Sequence, residues 1–436
     1  MSDDIHQALA RTALLIELDI FGPGADHHCI VDGLRATTAR IITDRANIGS
    51  PAGQTALVTL YSQLAMTGLQ IDLDIPDAGL VADQPPLRSG DLPSSLLDYS
   101  GDLLPGGSAR PSATPDVTFV LGDTPGPAGA VRVSGTEWTA AVSTIRPGPR
   151  WQGAMPVGAM AAGGAAAAEG LRAAVPHIAE RLGRPVPGDS RWCTQPGRHV
   201  DLDLGCYQVE SPVTVGDVDV ISGGAITNAA LYTLVRMPAL TAAMRIIEPD
   251  LLDLSNLNRY ALARRSMLGW PKTHALRSFE TSSIRITGSG ETFDDTTAAH
   301  LVPMAPRLLV GVDHVPSRWA AQRAAASSWV CVGASSHDFV LVSAHPAGSA
   351  CAGCVHTRDE DLAGEIPTIS FVSFWAGLVQ ALELVADAAG RSPAWTRSTY
   401  VWPFGLDNPR GIHQFTQDAA AGCPVGCRAS TALLAA

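Results

Sequence analysis

The chain has 436 residues, 46% of them hydrophobic and 17% charged, with 42 glycines and 31 prolines. That length exceeds one typical core and predicts two domains, and the composition fits a compact, turn-rich globular protein and excludes wholesale disorder. A net charge of −12 without a basic stripe excludes a general nucleic-acid-binding surface.

The opening "MSDDIHQALARTALLIEL" is acidic first and apolar second, unlike a signal peptide. No apolar run reaches the roughly 20 residues that span a bilayer. The eight cysteines therefore suggest a reducing compartment, and the expectation is a cytoplasmic protein without a membrane partner. Asp26, His27, His28 and Cys29 read as a surface loop. "ARIITD" (39–44) reads as a strand, "QTALVTLYSQLAMTG" as a helix and "LQIDLDIPD" as a second strand. The region 80–115 reads as loop, "VTFVLGD" and "GAVRVSG" as strands, and 156–181 as a closely packed Ala/Gly-rich internal helix. Pro, Gly and polar residues make 183–216 a linker.

The second half repeats this order. "VDVISGG" is a strand running into Gly223 and Gly224, "AITNAALYTLVRM" a helix, and "AMRIIEPD" a strand ending in acids. "RLLVGVD", "SWVCVGAS" and "DFVLVSAH" are further strands, and 371–390 is a buried helix. Alternation of this kind predicts an α/β protein with two Rossmann-like domains, 1–182 and 217–436, each a mainly parallel sheet with flanking helices. The first half offers Arg88 and Arg110 but no dense polar cluster, so it reads as scaffold and the second half as the site.

Glycines at a strand end that opens a helix let a backbone approach phosphate, although two of them also mark an ordinary turn. Glu248 follows Gly224 by 24 residues, close to where an acid binds a ribose hydroxyl in nucleotide-binding βαβ units. In "SNLNR", Arg259 offers a planar fork for phosphate oxygens, and Asn256 and Asn258 can orient it or bind phosphate themselves. Lys272 is the only lysine in the chain; the other 29 basic residues are arginine. It is a compact charge suited to a phosphate whose geometry changes. Asp313 ends the strand "RLLVGVD", where a carboxylate can hold Mg²⁺ between phosphates.

The run "EPDLLDLSNLNRY", "GWPK" and "DHVPSR" resembles the ThiF/MoeB/E1 superfamily of ATP-dependent adenylating enzymes over residues 217–390. The resemblance implies that Glu248 holds the ribose with Asp250 supporting that edge. It implies that Arg259 and Lys272 bind and neutralise the triphosphate and that Asp313 binds Mg²⁺. The sequence departs from the family pattern in "ISGGAI", in Glu248 for aspartate and in Tyr260 for glutamine. The resemblance further implies an intramolecular pseudo-dimer, a degenerate N-terminal adenylation domain fused to an active C-terminal one, with Arg11 or Arg35 able to reach the ATP phosphates across the interface.

Cys351 and Cys354, with Cys423 and Cys427, form two short-spaced pairs that fit a closed tetrahedral, structural Zn²⁺ site. Cys331 reads as core; Cys193 and Cys206 lie in the linker. The crossover "VHTRDEDLAGEIPTIS" holds no cysteine for a thioester, which leaves Thr357, Thr368 or Ser370 as hydroxyl acceptors, with His356 the one nearby base. Two other outcomes are a reaction that stops at the acyl-adenylate and an E2-like acceptor protein that supplies the nucleophile. The expected function is adenylation of the C-terminal carboxylate of a ubiquitin-like protein in a bacterial conjugation or sulfur-transfer pathway. The alternatives are a peptide-adenylating enzyme of natural-product tailoring and a non-catalytic scaffold.

Overall fold

The computed structural model describes residues 2–88, 90–358, 366–408 and 411–427. The chain begins with three helices, α1 (Ser2–Ala8), α2 (Ala10–Ile16) and α3 (His27–Ala36). Asp26 caps α3 by accepting the His28 N–H at 2.8 Å, so the acid–His–His–Cys run is a helix start and not a loop. The strand β1 (Thr38–Ile42) then leads to α4 (Pro51–Thr67) and β2 (Gln70–Asp74). Ser50 caps α4, Pro51 opens it, and Gly68 at φ 103° closes it in the left-handed conformation that favours glycine. α5 (Leu92–Gly101) lies in the stretch expected to be loop; β3 (Val117–Leu121), β4 (Val131–Gly135), β5 (Thr139–Ser143), α6 (Val157–Leu182) and β6 (His199–Asp203) follow.

The second half supplies β7 (Val213–Ile221), α7 (Ala225–Leu234), β8 (Leu240–Ile247), α8 (Lys272–Arg277), β9 (Ile284–Ser289) and α9 (Asp295–Leu301). It continues through β10 (Arg307–Val310), α10 (Val315–Ala324), β11 (Trp329–Ser336), β12 (Phe339–His345), α11 (Ala352–Val355), α12 (Ser370–Ala388), β13 (Arg397–Val401) and β14 (Ile412–Thr416).

The first sheet has the order β2-β1-β3-β4-β5-β6, parallel through β4 and antiparallel beyond. The second has the order β14-β13-β12-β11-β10-β7-β8-β9, parallel from β11 to β9. Six of its strands, β8-β7-β10-β11-β12-β13, repeat the order and direction of the first sheet, and β9 and β14 extend its two edges. In both sheets the strand order reverses around one strand, β1 or β7, and ligands of open α/β sheets bind in the crevice beyond such a reversal.

The stretch expected to be a linker holds β6, the last strand of the first sheet, and the first residues of β7. Its Tyr207 is buried, with the hydroxyl donating to Glu383 of α12 at 2.9 Å. The chain therefore crosses between halves through packed structure.

α4 and α6 of the first sheet face α7 and α12 of the second, and one continuous apolar core runs through the four helices. Small residues make the approach possible. A Cβ on Gly164 of α6 would stand 3.2 Å from the Phe374 ring, and one on Gly377 of α12 would stand 2.3 Å from the Ile226 carbonyl. α6 (Val157–Leu182) thus serves as a packed internal helix, as the Ala/Gly-rich composition predicts. α12 is long and apolar enough to cross a membrane by length and composition, yet it is buried among these helices and the second sheet.

Candidate active site

The site gathers where β7 and β8 end. Ser222, just past β7, turns the chain at φ 89°, and Gly223 and Gly224 carry it into α7. Asn228 holds the turn from inside, its Nδ2 donating to the carbonyls of Gly223 (3.1 Å) and Gly224 (2.9 Å). Glu248 follows β8 and is buried; its Oε2 accepts the Gly223 N–H at 2.6 Å and its Oε1 the Asp250 N–H at 3.0 Å. The Gly224 N–H donates to Ser222 Oγ at 3.0 Å. Both glycine donors expected to face phosphate therefore have side-chain acceptors, Glu248 for Gly223 and Ser222 for Gly224. Gly223 is needed for space, since a Cβ there would meet Glu248 Cγ at 3.0 Å and Lys272 Cβ at 3.2 Å.

Lys272 opens α8 and is 8% exposed. Its ammonium lies 2.8 Å from Asp250 Oδ2 and 3.8 Å from Glu248 Oε1. Burial works against that charge, but Tyr260, Glu248 and Asp250 outweigh it and hold the lysine above its ordinary pKa. Gly223, Glu248, Asp250 and Lys272, separated by up to 49 positions in the chain, thus form one cluster. Behind it lies a small recess lined by Asn228, Tyr260, Met267, Lys272 and Phe279 among others.

Arg259 is held on its own turn: Nη1 donates to Asn258 Oδ1 at 2.8 Å and to the Ser255 carbonyl. Asn256 closes a capping box with Asp253, its Oδ1 accepting the Asp253 N–H at 2.9 Å. Arg259 lies 5.5 Å and Lys272 5.9 Å from the centre of the Tyr260 ring, so both cations stand near one aromatic ring. Asp313 is exposed two residues beyond Gly311, whose N–H donates to the Ile221 carbonyl at 3.0 Å; it stands past the end of the neighbouring strand, β10. Arg318, the basic end of "DHVPSR", is pinned to the Val312 carbonyl (2.9 Å) and to His356 (3.1 Å), and burial lowers its pKa to about 10.

The first half grips this segment. Thr12 of α2 accepts from Asn258 Nδ2 at 2.9 Å. Asp102 accepts the Ser266 N–H at 2.9 Å and its hydroxyl at 2.5 Å, and lies 3.6 Å from Arg264. Thr12, Asp102, Asn228 and the aromatic role of Tyr260 escape sequence reading. Tyr260, adjacent to Arg259, and Asn228, four residues after Gly224, act locally; Thr12 and Asp102 act across long sequence separations.

The corresponding crevice of the first sheet is filled by the chain itself. Asn47 is fully buried there and donates to Asp123 (2.9 Å), Thr124 (3.0 Å) and Asp44 (3.1 Å). Its Oδ1 accepts the N–H of Trp151, which is also fully buried, and a Cβ on Gly122 would lie 1.9 Å from that oxygen.

Arg35 is committed to the carbonyls of Gly68 and Gly107 and does not face the second-half site. Arg11 reaches the crossover, with Nη1 donating to the Ile366 carbonyl at 3.4 Å. Two of the three hydroxyls considered as acyl acceptors lie inside the protein. Thr368 is 5% exposed and bonds Ser373, and Ser370 is fully buried against Thr67 and Gln63. Thr357 is exposed, and residues 359–365 of the crossover lie outside the described residues. His356 is a poor base: burial first, then the charges of Arg318 and His345, lowers its pKa to about 3.

Cys351, Cys354, Cys423 and Cys427 converge with all four sulfurs within 4.8 Å of one another. Adjacent Sγ atoms lie 3.3–3.8 Å apart. Zinc–sulfur bonds of about 2.3 Å place tetrahedral sulfurs roughly 3.8 Å apart, so the donor set fits such an ion. Burial raises the Cys351 and Cys354 thiols, whereas at Cys423 hydrogen bonds from Cys351 and from backbone N–H groups outweigh burial and bring the pKa down to about 7.

No family model matches the chain. A curated relative, the uncharacterized protein y4jF of Sinorhizobium fredii, is 33% identical over 18% of this chain and 18% of its own length. Among solved structures, E. coli MccB with AMPCPP and MccA is similar at 18% identity and TM-score 0.41, covering 48% of this chain and 66% of that one. PaaA is similar at 14% identity and TM-score 0.37, covering 47% and 64%. The chain thus covers less than two thirds of the length of each of these proteins.

Proposed function

We propose that the chain is an adenylating enzyme of the ThiF/MoeB/E1 superfamily that activates the C-terminal carboxylate of a peptide with ATP. The observation that carries this reading is the buried cluster of Gly223, Glu248 and Lys272 beside Asp250, at the switch point of a parallel sheet. A ribose hydroxyl donates to Glu248, and the triphosphate meets Lys272 and Arg259, drawing the ammonium from its carboxylate partners. The peptide carboxylate attacks the α-phosphorus, an acyl–oxygen–phosphorus bond forms, and the bond to pyrophosphate breaks. Lys272 is placed to stabilise charge that grows on the phosphate oxygens. Asp313, a single carboxylate at the mouth of the crevice, suits Mg²⁺, which takes one or two carboxylates with phosphate oxygens and would neutralise phosphate charge. The four cysteines would hold a structural Zn²⁺. The filled crevice around Asn47 supports an inactive first half paired with an active second one.

A peptide is favoured over a conjugation cascade because the crossover carries no cysteine and because Thr368 and Ser370 are buried. A ubiquitin-like protein presents the same carboxylate on its tail and is tested in parallel. The test is ATP–pyrophosphate exchange dependent on an added carboxylate substrate. Lys272→Ala should lower exchange by about a hundredfold or more. Exchange indifferent to that substitution refutes the site, and absence of nucleotide binding makes the protein a scaffold.

A further inference from the structure

We propose that Thr12, in the first half, is a positioning residue for Arg259 in the second-half site; the ligand's identity, ATP, rests on the reading above. The two residues are 247 positions apart in sequence and are joined by one side chain, Asn258. Thr12 and Asn258 are both fully buried. The Asn258 amide donates through Nδ2 to Thr12 Oγ1 at 2.9 Å and accepts through Oδ1 from Arg259 Nη1 at 2.8 Å. An amide has one accepting and one donating end, so a half-turn of Asn258 would put its NH₂ group against a guanidinium that can only donate.

With Thr12 in place, both ends of the amide are satisfied and the fork of Arg259 is set. Without the hydroxyl, a buried NH₂ group loses its partner, and the amide relieves that cost only by leaving the orientation Arg259 uses. Arg259 also contacts the Ser255 carbonyl and the Tyr260 ring, both on its own turn. Thr12 adds a tie that comes from the other half. It reaches the triphosphate only through Asn258 and Arg259, and so acts on nucleotide affinity and not on bond making.

The experiment uses the full chain and measures ATP affinity by calorimetry, together with KM and kcat for exchange. Arg259→Ala should weaken ATP binding. Thr12→Val, which keeps the shape and removes the hydroxyl, should weaken it about fivefold to tenfold with kcat little changed. Thr12→Ser, which keeps the oxygen, should bind as the natural chain does. The double variant Thr12→Val/Arg259→Ala should bind no more weakly than Arg259→Ala alone, because the two act through one contact. If the valine variant does not fold, the serine and alanine variants at the same position provide the comparison. Equal losses for serine and for valine or alanine would place the effect in packing and overturn the inference. Additive losses, or a valine variant with natural affinity beside a deficient Arg259→Ala, would overturn it while leaving the adenylation reading intact. Natural affinity in Arg259→Ala itself would overturn both.

Discussion

Lys272 shows how much one residue's setting decides. In sequence it stands out because it is the only lysine; in the structure it is a buried cation set against Glu248 and Asp250. Its folded pKa lies above the ordinary 10.5, so its charge contribution is complete below that value and is lost only as pH rises through the higher folded value. The difference in ATP affinity between the natural chain and Lys272→Ala should therefore stay constant from about pH 7 to about pH 9.5 and close only in stronger alkali. ATP titrations of both proteins across that range measure it. Gly223 is the second decisive residue. Gly223→Ala brings a methyl group to 3.0 Å from Glu248 and 3.2 Å from Lys272. It should cut ATP affinity roughly tenfold or more while far-ultraviolet dichroism stays unchanged, since a shift of about 1 Å at such a site can cost far more than that in rate.

At the scale of elements, the loops that carry the cysteine pairs stand apart from both main cores and pack on one another. One zinc per chain is the expected stoichiometry by metal analysis. Cys351→Ser should abolish it and lower the melting temperature, because a structural zinc contributes folding energy directly. Retention of zinc by that variant would place the metal elsewhere. The segment between the two halves makes its own contribution through Tyr207, whose hydroxyl reaches the fully buried Glu383. Tyr207→Phe should cost about 1–3 kcal/mol in urea unfolding, the range for a buried polar group that loses a partner.

At the scale of the molecule, the two halves depend on each other. Arg236 from the end of α7 is buried against Gln84 and Pro85, and Arg264 donates to the Pro86 carbonyl at 3.0 Å. Residues 211–436 produced alone would expose the α7–α12 face and strip both guanidinium groups of their first-half partners. That fragment should fail to give a cooperative unfolding transition, and co-production with residues 1–210 should restore one. The sequence was sufficient for much of this architecture. Short β-branched runs alternating with helices announced two α/β units, and the order of elements announced a repeat that the sheet orders display. It also exposed the chemistry concentrated in one stretch, because Glu248, Arg259 and Lys272 lie within 25 positions of one another. It could not show α5 within a region of turn-forming residues, nor β6 within a Pro- and Gly-rich one, since the pairing and packing partners of both are distant in the chain. Tertiary structure alone decided that Asn47 and Trp151 fill one crevice while the other stays lined by charged groups. It alone placed Thr12 and Asp102 on the segment that carries Arg259 and buried two hydroxyls that composition left available. Local pattern records which face of an element is apolar, whereas the identity of what that face meets is fixed only when the whole chain closes around it.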